Sequence, residues 1–376
     1  MLLELSSEQE FFQKTTARFL EDHVPVAELR RLRDDPTGFK RDYWRRGAEL
    51  GWTSLLVPEE DGGVSVSGRG LVDLTVAAHE FGRHAAPGPF VSSNVVALAL
   101  SGSAHKELIA GLLDGSEIAT WCFSEAPPHD ELRELSFSIE RDGEQLVLNG
   151  LKRPVESADQ ASQFLVTGRS GGGLTQVIVP AGTPGITLTP MTGVDLTRRF
   201  SAVRFEQVRV PLSAALGGIG DAAVAVEKQL QHALVLLAAE AVGAMQAAFD
   251  MTVEWAFDRY SFGRPLASYQ ALKHRYAQMA TWLQASHAIS DAAARAVNDG
   301  APDAGELASA AKAYVGEYGS ELLQECVQLH GGIGVTYEHD LHLFLRRVTL
   351  ARALFGTPDA HRRRIARLIA QKEAAA

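Results

Sequence analysis

The spacing of apolar and polar positions changes character twice along the chain. Ser6 to Gln9 reads S-x-x-Q, a capping box, and Phe11, Phe12, Thr15, Phe19 and Leu20 then hold one helical face. "TGFKRDYWRRGAELGW" predicts a second helix closed by Gly51. "LVDLTVAAHEFGRHAAPGPF" predicts a third that stops at a Pro/Gly cluster, and residues 94–113 predict two short ones. The acidic, glycine-rich "VPEEDGGVSVSG" between them reads as a loop. From Gly115 the pattern turns to short, β-branched or alternating segments: "EIATWCFSE", "FSIERDGEQLVLNG", "QFLVTGR", "TQVIVPAG", "GITLTPM" and "AVRFEQVRVP", parted by Gly, Pro, Asp and Asn turns. From about Asp221 long helical patterns return, at residues 225–258, 268–298, 303–329 and 337–372. The expected fold is mainly α with a central β domain. An N-terminal helical domain covers 1–115, a middle β-barrel or sandwich domain 116–215, and a C-terminal four-helix bundle 216–376.

Composition narrows the partners. The net charge of −10 is spread along the 376 residues, which argues against nucleic acid as the main partner, since phosphate binding needs a basic face. Cys122 and Cys326 sit in no CxxC pattern, so no disulfide framework or metal site is expected and a reducing compartment fits. The N-terminus turns charged within a few residues, unlike a signal peptide. The apolar run 233–249 is broken by Glu240 and is short for a bilayer span. A soluble cytoplasmic protein with no membrane partner is expected.

Four places carry candidate chemistry. Glu240 is the one formally charged residue between Lys228 and Asp250, inside "ALVLLAAEAVGAMQAAF". A carboxylate there needs a partner or a cavity. Two readings stay open: a buried ion pair with a neighbouring helix, or a general base tuned by an apolar pocket. "DRYSFGRPLASYQALKHRYAQM" joins two helices through Gly263 and Pro265 and clusters Arg259, Arg264, Lys273, His274 and Arg275. That is either a solvated helix end or a phosphate site. "ECVQLHGGIGVTYEHDLHLFLRR" places three glycines in four positions after His330. Gly331 and Gly332 suit a helix C-cap, whereas Gly334 is not needed for one, and free N–H groups there suit a phosphate nest. "TWCFSE" is a strand end able to offer Ser124 and backbone N–H groups to a polar heterocycle.

In this order, the pieces resemble the acyl-CoA dehydrogenase family over essentially the whole chain. "GWTSLLVPEEDGG" and "HEFGRHAAPGPF" are similar to its N-terminal segments, and "RYSFGRPLASYQALKH" and "QLHGGIGVTYEHDLHLFLRR" are the specific matches. The resemblance implies FAD as cofactor and α,β-dehydrogenation of an acyl-CoA substrate, with a carboxylate taking the α-proton and hydride leaving to the flavin. It implies an electron-transfer flavoprotein or similar acceptor, and a homodimer, homotetramer or heterotetramer. It places Gln328, Gly331, Gly332 and Gly334 against the ADP half of FAD, often across a subunit interface, with Arg259, Phe262 and Gln270 beside them. Ser124 falls near the flavin ring, in a loose match of Trp121, Ser124 and Glu125 to a Tyr-x-x-Thr-Glu strand.

The departures from the family are equally specific. "APPHDELRE" stands where Gly-Ser-Asp is usual. Pro154 and Glu156 of "KRPVESAD" stand where the family has Trp and Thr at the flavin edge. An acid there opposes the anionic reduced flavin. The usual positions of the base hold Phe355, before Gly-Thr, and about Ala233. Glu240, seven residues beyond Ala233, is then the candidate catalytic base. The variant turn resembles actinobacterial-type dehydrogenases for steroid side chains and other bulky acyl groups, some built from two different subunits. The alternatives are a non-catalytic or half-site subunit of a heteromeric enzyme, an acyl-CoA-binding protein without redox activity, and an acyl-CoA oxidase.

Overall fold

The computed structural model describes residues 5–32, 35, 37–126 and 135–375. Helix α1 (Ser7–His23) starts on the expected capping box: the Gln9 N–H donates to Ser6 Oγ, and the Ser6 N–H donates to the Gln9 side chain. It is followed by α2 (Val26–Arg31), α3 (Arg41–Ala48), α4 (Gly70–Arg83), α5 (Phe90–Leu100) and α6 (Lys106–Leu113). The six-residue α2 buries Leu29 alone, too little to show a helical period, and lies outside the expected elements.

Eight strands follow among the described residues: β1 (Ala119–Cys122), β2 (Ser138–Asp142), β3 (Gln145–Glu156), β4 (Gln163–Ser170), β5 (Gly173–Pro180), β6 (Ile186–Met191), β7 (Phe200–Pro211) and β8 (Ala215–Leu216). They form one mixed sheet in the order β6-β7-β3-β2-β4-β5-β8, with β1 laid parallel to β4. The long antiparallel β3–β7 pair shifts register between Lys152 and Val155, just before Glu156.

The chain then returns to helices: α7 (Ala223–Asp258), the two-residue strands β9 (Tyr260–Ser261) and β10 (Arg264–Pro265), α8 (Gln270–Asn298), α9 (Ala304–His330), α10 (Leu341–Ala353) and α11 (Pro358–Ala375). The expected helix at 337–372 is therefore two helices. Pro358 has no N–H and its ring excludes the carbonyl of Leu354, so the helix must stop, and the chain turns through Phe355 (φ 53) and Gly356 (φ 105). Helix α7 is longer than the expected apolar run. By length and composition it passes for a membrane span, but 83% of its most apolar window is buried among other parts of the chain. A helix apolar all round belongs in a core.

Two glycines fix how α4 crosses α7. A Cβ on Gly82 would stand 1.8 Å from the Glu240 carbonyl oxygen, and one on Gly243 would stand 1.9 Å from that of His79. The two backbones touch, so Glu240 is held at the crossing.

Candidate functional site

Glu240 sits in a buried ion cluster drawn from every part of the fold. Its Oε1 accepts from Arg347 Nη1 on α10 at 2.5 Å, and its Oε2 from Arg198 Nη1, in the loop before β7, at 3.2 Å. Arg198 Nε donates to Glu156 at the end of β3 at 2.5 Å, and Ser92 Oγ on α5 donates to the other oxygen of Glu156 at 3.3 Å. Arg347 Nε donates to Asp195 at 2.5 Å, and its Nη2 donates to the carbonyls of Ala85 and Ala86 and to Thr197 Oγ1. Arg347 is 0% exposed and Glu240 2%. Burial alone pushes Asp195 up, but Arg347 beside it more than offsets this and holds it below the usual carboxylate range. Burial opposes the charge on Arg198, yet Glu156 and Glu240 raise its pKa above the usual value. Glu240, expected as the candidate catalytic base, is a buried acid with one guanidinium donor on each oxygen, which is the buried ion pair of the two readings left open by the sequence.

The same cluster accounts for Glu156, which is paired rather than presented to a ligand. Phe355 is half-buried against aromatic neighbours. Its ring stacks on Trp121 at 5.6 Å and lies 6.0 Å from Phe123, and those two stack at 4.6 Å. Trp121 Nε1 is committed to Thr167 Oγ1 at 3.0 Å. The turn that carries Phe355 is gripped from two helices. Lys312 Nζ donates to the carbonyls of Arg352 (2.9 Å) and Gly356 (2.8 Å), and His361 Nε2 donates to that of Phe355 (2.9 Å). Ser124, just past β1, is buried, and its carbonyl accepts from Arg153 N at 2.9 Å. Its neighbour Glu125 binds Lys152 Nζ at 2.9 Å and the N–H groups of Ser136 and Phe137, pinning the far end of the loop. Burial would raise the Glu125 pKa, but Lys152 and these donors bring it down to about 2. The departure at 127–134 lies outside the described residues.

The other expected residues gather elsewhere, at one end of the bundle. Because α7, α8 and α9 run alternately up and down, the end of α7, the start of α8 and the end of α9 meet there. The His330 ring stacks on Trp255 at 5.3 Å across that end. Arg259 caps α7, with its guanidinium 6.0 Å from the Trp255 ring centre. Arg259, Gln270, Gln328, Gly331 and Gly332 are exposed. Gly331 adopts φ 66, ψ −140, open to glycine and strained for other residues. An added Cβ at Gly331 or Gly332 would meet nothing within 4 Å. Gly334 is different: it is buried, and a Cβ would lie 2.6 Å from the Val327 carbonyl oxygen. At Gly334 a side chain is excluded by packing inside the turn. Phe262 is 96% exposed at the tip of the β9–β10 hairpin, in a left-handed conformation (φ 50) before Gly263 (φ 77). That conformation is uncommon for a bulky side chain. Phe257, Tyr260, Val335 and Tyr337 are exposed as well.

These residues fit one half of a dinucleotide cofactor. The open backbone at Gly331 and Gly332, with Arg259 and Gln270 exposed nearby, suits the ADP half of FAD. On the expected ring side, Glu156 is paired with Arg198, and Phe355 lies on Trp121. Arg198, Asp195 and Arg347 escaped the reading of the sequence. Arg347 alone left a signal there, because it falls on the apolar stripe Leu341, Phe344, Val348 and Ala351 of α10.

Comparisons with known proteins agree with this architecture. The family description "Acyl-CoA dehydrogenase, N-terminal domain" matches residues 6–114, and "Acyl-CoA dehydrogenase, C-terminal domain" matches residues 222–370. The chain is 31% identical to the acyl-CoA dehydrogenase IpdE2 of Mycobacterium tuberculosis, over 95% of this chain and 96% of that one. It is 29% identical to IpdE2 of Mycolicibacterium smegmatis, over 96% and 98%. A solved single-substitution variant of the "Tcur3481-Tcur3483 steroid ACAD" is 28% identical with a TM-score of 0.89, covering 98% of this chain and 99% of that one.

Proposed function

Since the chain belongs to the acyl-CoA dehydrogenase family, we propose that it is the supporting subunit of a two-chain, FAD-linked dehydrogenase, lending the ADP-side surface to a flavin whose reactive ring and catalytic base belong to a partner chain of the same fold. The family's oxidoreductase chemistry, FAD-linked dehydrogenation of an acyl-CoA, is the general activity supported for the chain. The observation that carries the finer reading is Glu240: the acid nominated as base is braced by Arg198 and Arg347. Phe355 fills the other place where a base is expected.

In this reading Gly331, Gly332, Gln328 and Gln270 lie along the ADP half of FAD, and Arg259 meets its diphosphate with forked donors. FAD, when bound, supplies the hydride acceptor. Phe262 and its apolar surroundings dock the partner, which buries the surface that a lone chain exposes. The name of one similar structure, a paired steroid ACAD, supports both a second chain and a bulky, steroid-like acyl-CoA. An electron-transfer flavoprotein or similar acceptor then reoxidises the assembly. The test is an acyl-CoA assay with added FAD and an artificial electron acceptor. The chain alone gives no turnover, and co-purified with its partner it does. Turnover by the chain alone overturns the proposal.

A further inference from the structure

His330 ends α9 where the glycine turn begins, and its ring is 4% exposed. It stacks on Trp255 of α7 at 5.3 Å, and the ring of His339, past the turn, meets it edge-on at 4.4 Å. His330 therefore joins the turn to α7. Its Nδ1 lies 2.8 Å from the Cys326 carbonyl, which can only accept, so Nδ1 carries the proton. Nε2 is then a bare acceptor, buried and without a partner among the described residues. His339 is fixed as well: its Nδ1 accepts from the Leu341 N–H at 3.2 Å, so its Nε2 carries the proton. A third ring, His342, lies 4.8 Å from that of Tyr337.

Cations stand around this cluster on three elements. Arg259, at the end of α7, lies 6.0 Å from the Trp255 ring centre. Arg30 of α2 donates to the Glu338 carbonyl at 2.5 Å and to Asp340. Arg346 of α10 lies 5.6 Å from the Tyr337 ring centre and donates to its hydroxyl at 3.1 Å. The nearby acids are committed or in water: Asp340 is taken by Arg30, Glu325 pairs with Arg275, and Glu254, Asp258 and Glu338 are exposed. A proton on His330 Nε2 would make a buried cation with an unpaired N–H. The face of Trp255 would return part of that cost, but leaving water costs more. Burial, with His339 adding to it, holds the His330 pKa below the usual histidine value. Burial also lowers those of His339 and His342, and Arg30 adds to both.

We propose that His330 is a proton-operated latch for the glycine turn: neutral, it holds residues 331–340 against α7 through Trp255 and His339, and on taking a proton it lets the turn come away into water. Because the closed turn disfavours the proton, closure is complete above about pH 6.5, the usual histidine value, and weakens as pH falls below it. The latch is a property of the turn, and only its effect on a bound flavin rests on the reading above. The test is amide hydrogen exchange of the full chain, corrected for the intrinsic rate at each pH. The N–H groups of Gly331 and Thr336 donate to the carbonyls of Gln328 and Ile333 within the turn. Their protection should fall about tenfold per pH unit between roughly pH 6 and 5, the effect of one proton, while that of the β3–β7 pair stays unchanged. His330→Phe, which keeps a ring on Trp255 but cannot take a charge, should remove the dependence. Unchanged protection of the turn, a parallel loss in the sheet, or the same dependence in His330→Phe overturns the proposal. The comparison of turn with sheet needs no variant to fold.

Discussion

Glu240 Oε1 and Arg347 Nη1 lie 2.5 Å apart, though 107 residues separate them in sequence. With Arg198 on its other oxygen, Glu240 ties α7 to α10 and to the sheet. The acid braces the junction of the helices with the sheet. Removing one member of such a buried cluster leaves the others under-compensated. Glu240→Gln is therefore expected to lose roughly 3 kcal/mol of stability. Urea denaturation, read by far-UV circular dichroism, checks this. A residue present only as a base would leave the midpoint where it was.

Phe355 is the second brace. Phe355→Ala removes a half-buried ring stacked on Trp121 and tilted against Phe123 and should cost about 1.5 kcal/mol. The emission of the protein should shift to longer wavelength as water reaches Trp121. Phe355→Glu, which restores an acid to the family's base position, should give no acyl-CoA dehydrogenation in the isolated chain, because in the proposed half-site the ring-side contacts belong to the partner chain. Turnover by that variant would show that only the base is missing.

Acid stability should depend on Glu125. Its folded pKa is lowered from 4.5 to about 2, so its contribution is complete above about pH 4.5 and is lost as pH falls toward 2. Glu125→Gln removes this contribution. Urea midpoints measured across the acid range should differ between the two proteins by a constant above pH 4.5 and converge toward pH 2. A difference that does not change with pH would show that the Lys152 pair is not the cause.

The glycine turn separates ligand contact from packing. Gly332 has nothing within 4 Å of an added Cβ, so Gly332→Val should leave the urea midpoint unchanged while loosening FAD in the two-chain assembly on the order of tenfold. Gly334→Ala meets the Val327 carbonyl and should lower stability instead. Fluorescence titration of the apo-assembly with FAD, beside denaturation of each variant, reads both effects.

Local chemistry was legible in the sequence and long-range pairing was not. The Ser6–Gln9 capping box, the turn residues between strands and the apolar faces of α7, α8 and α9 are set by neighbours within a few positions. The break before Pro358 was legible in principle, since proline forbids the preceding helix, but the apolar period on both sides masked it. An isolated acid in an apolar helix announces that a partner exists, not which one. Arg198 lies in an irregular loop with no period to stand out from. Arg347 breaks the stripe of α10, and reading that beside Glu240 would have paired them. The exposure of Phe262 and the openness at Gly332 depend on how three helix ends meet, which no single segment encodes.

The most direct test of the half-site assignment is the visible absorption spectrum and FAD content of the chain purified alone and after co-expression with a partner dehydrogenase chain. A half-site predicts a colourless protein alone and bound flavin only in the two-chain assembly. A flavin spectrum with about one FAD per chain in the protein purified alone would contradict it, because the ring-side contacts would then be complete within copies of this chain.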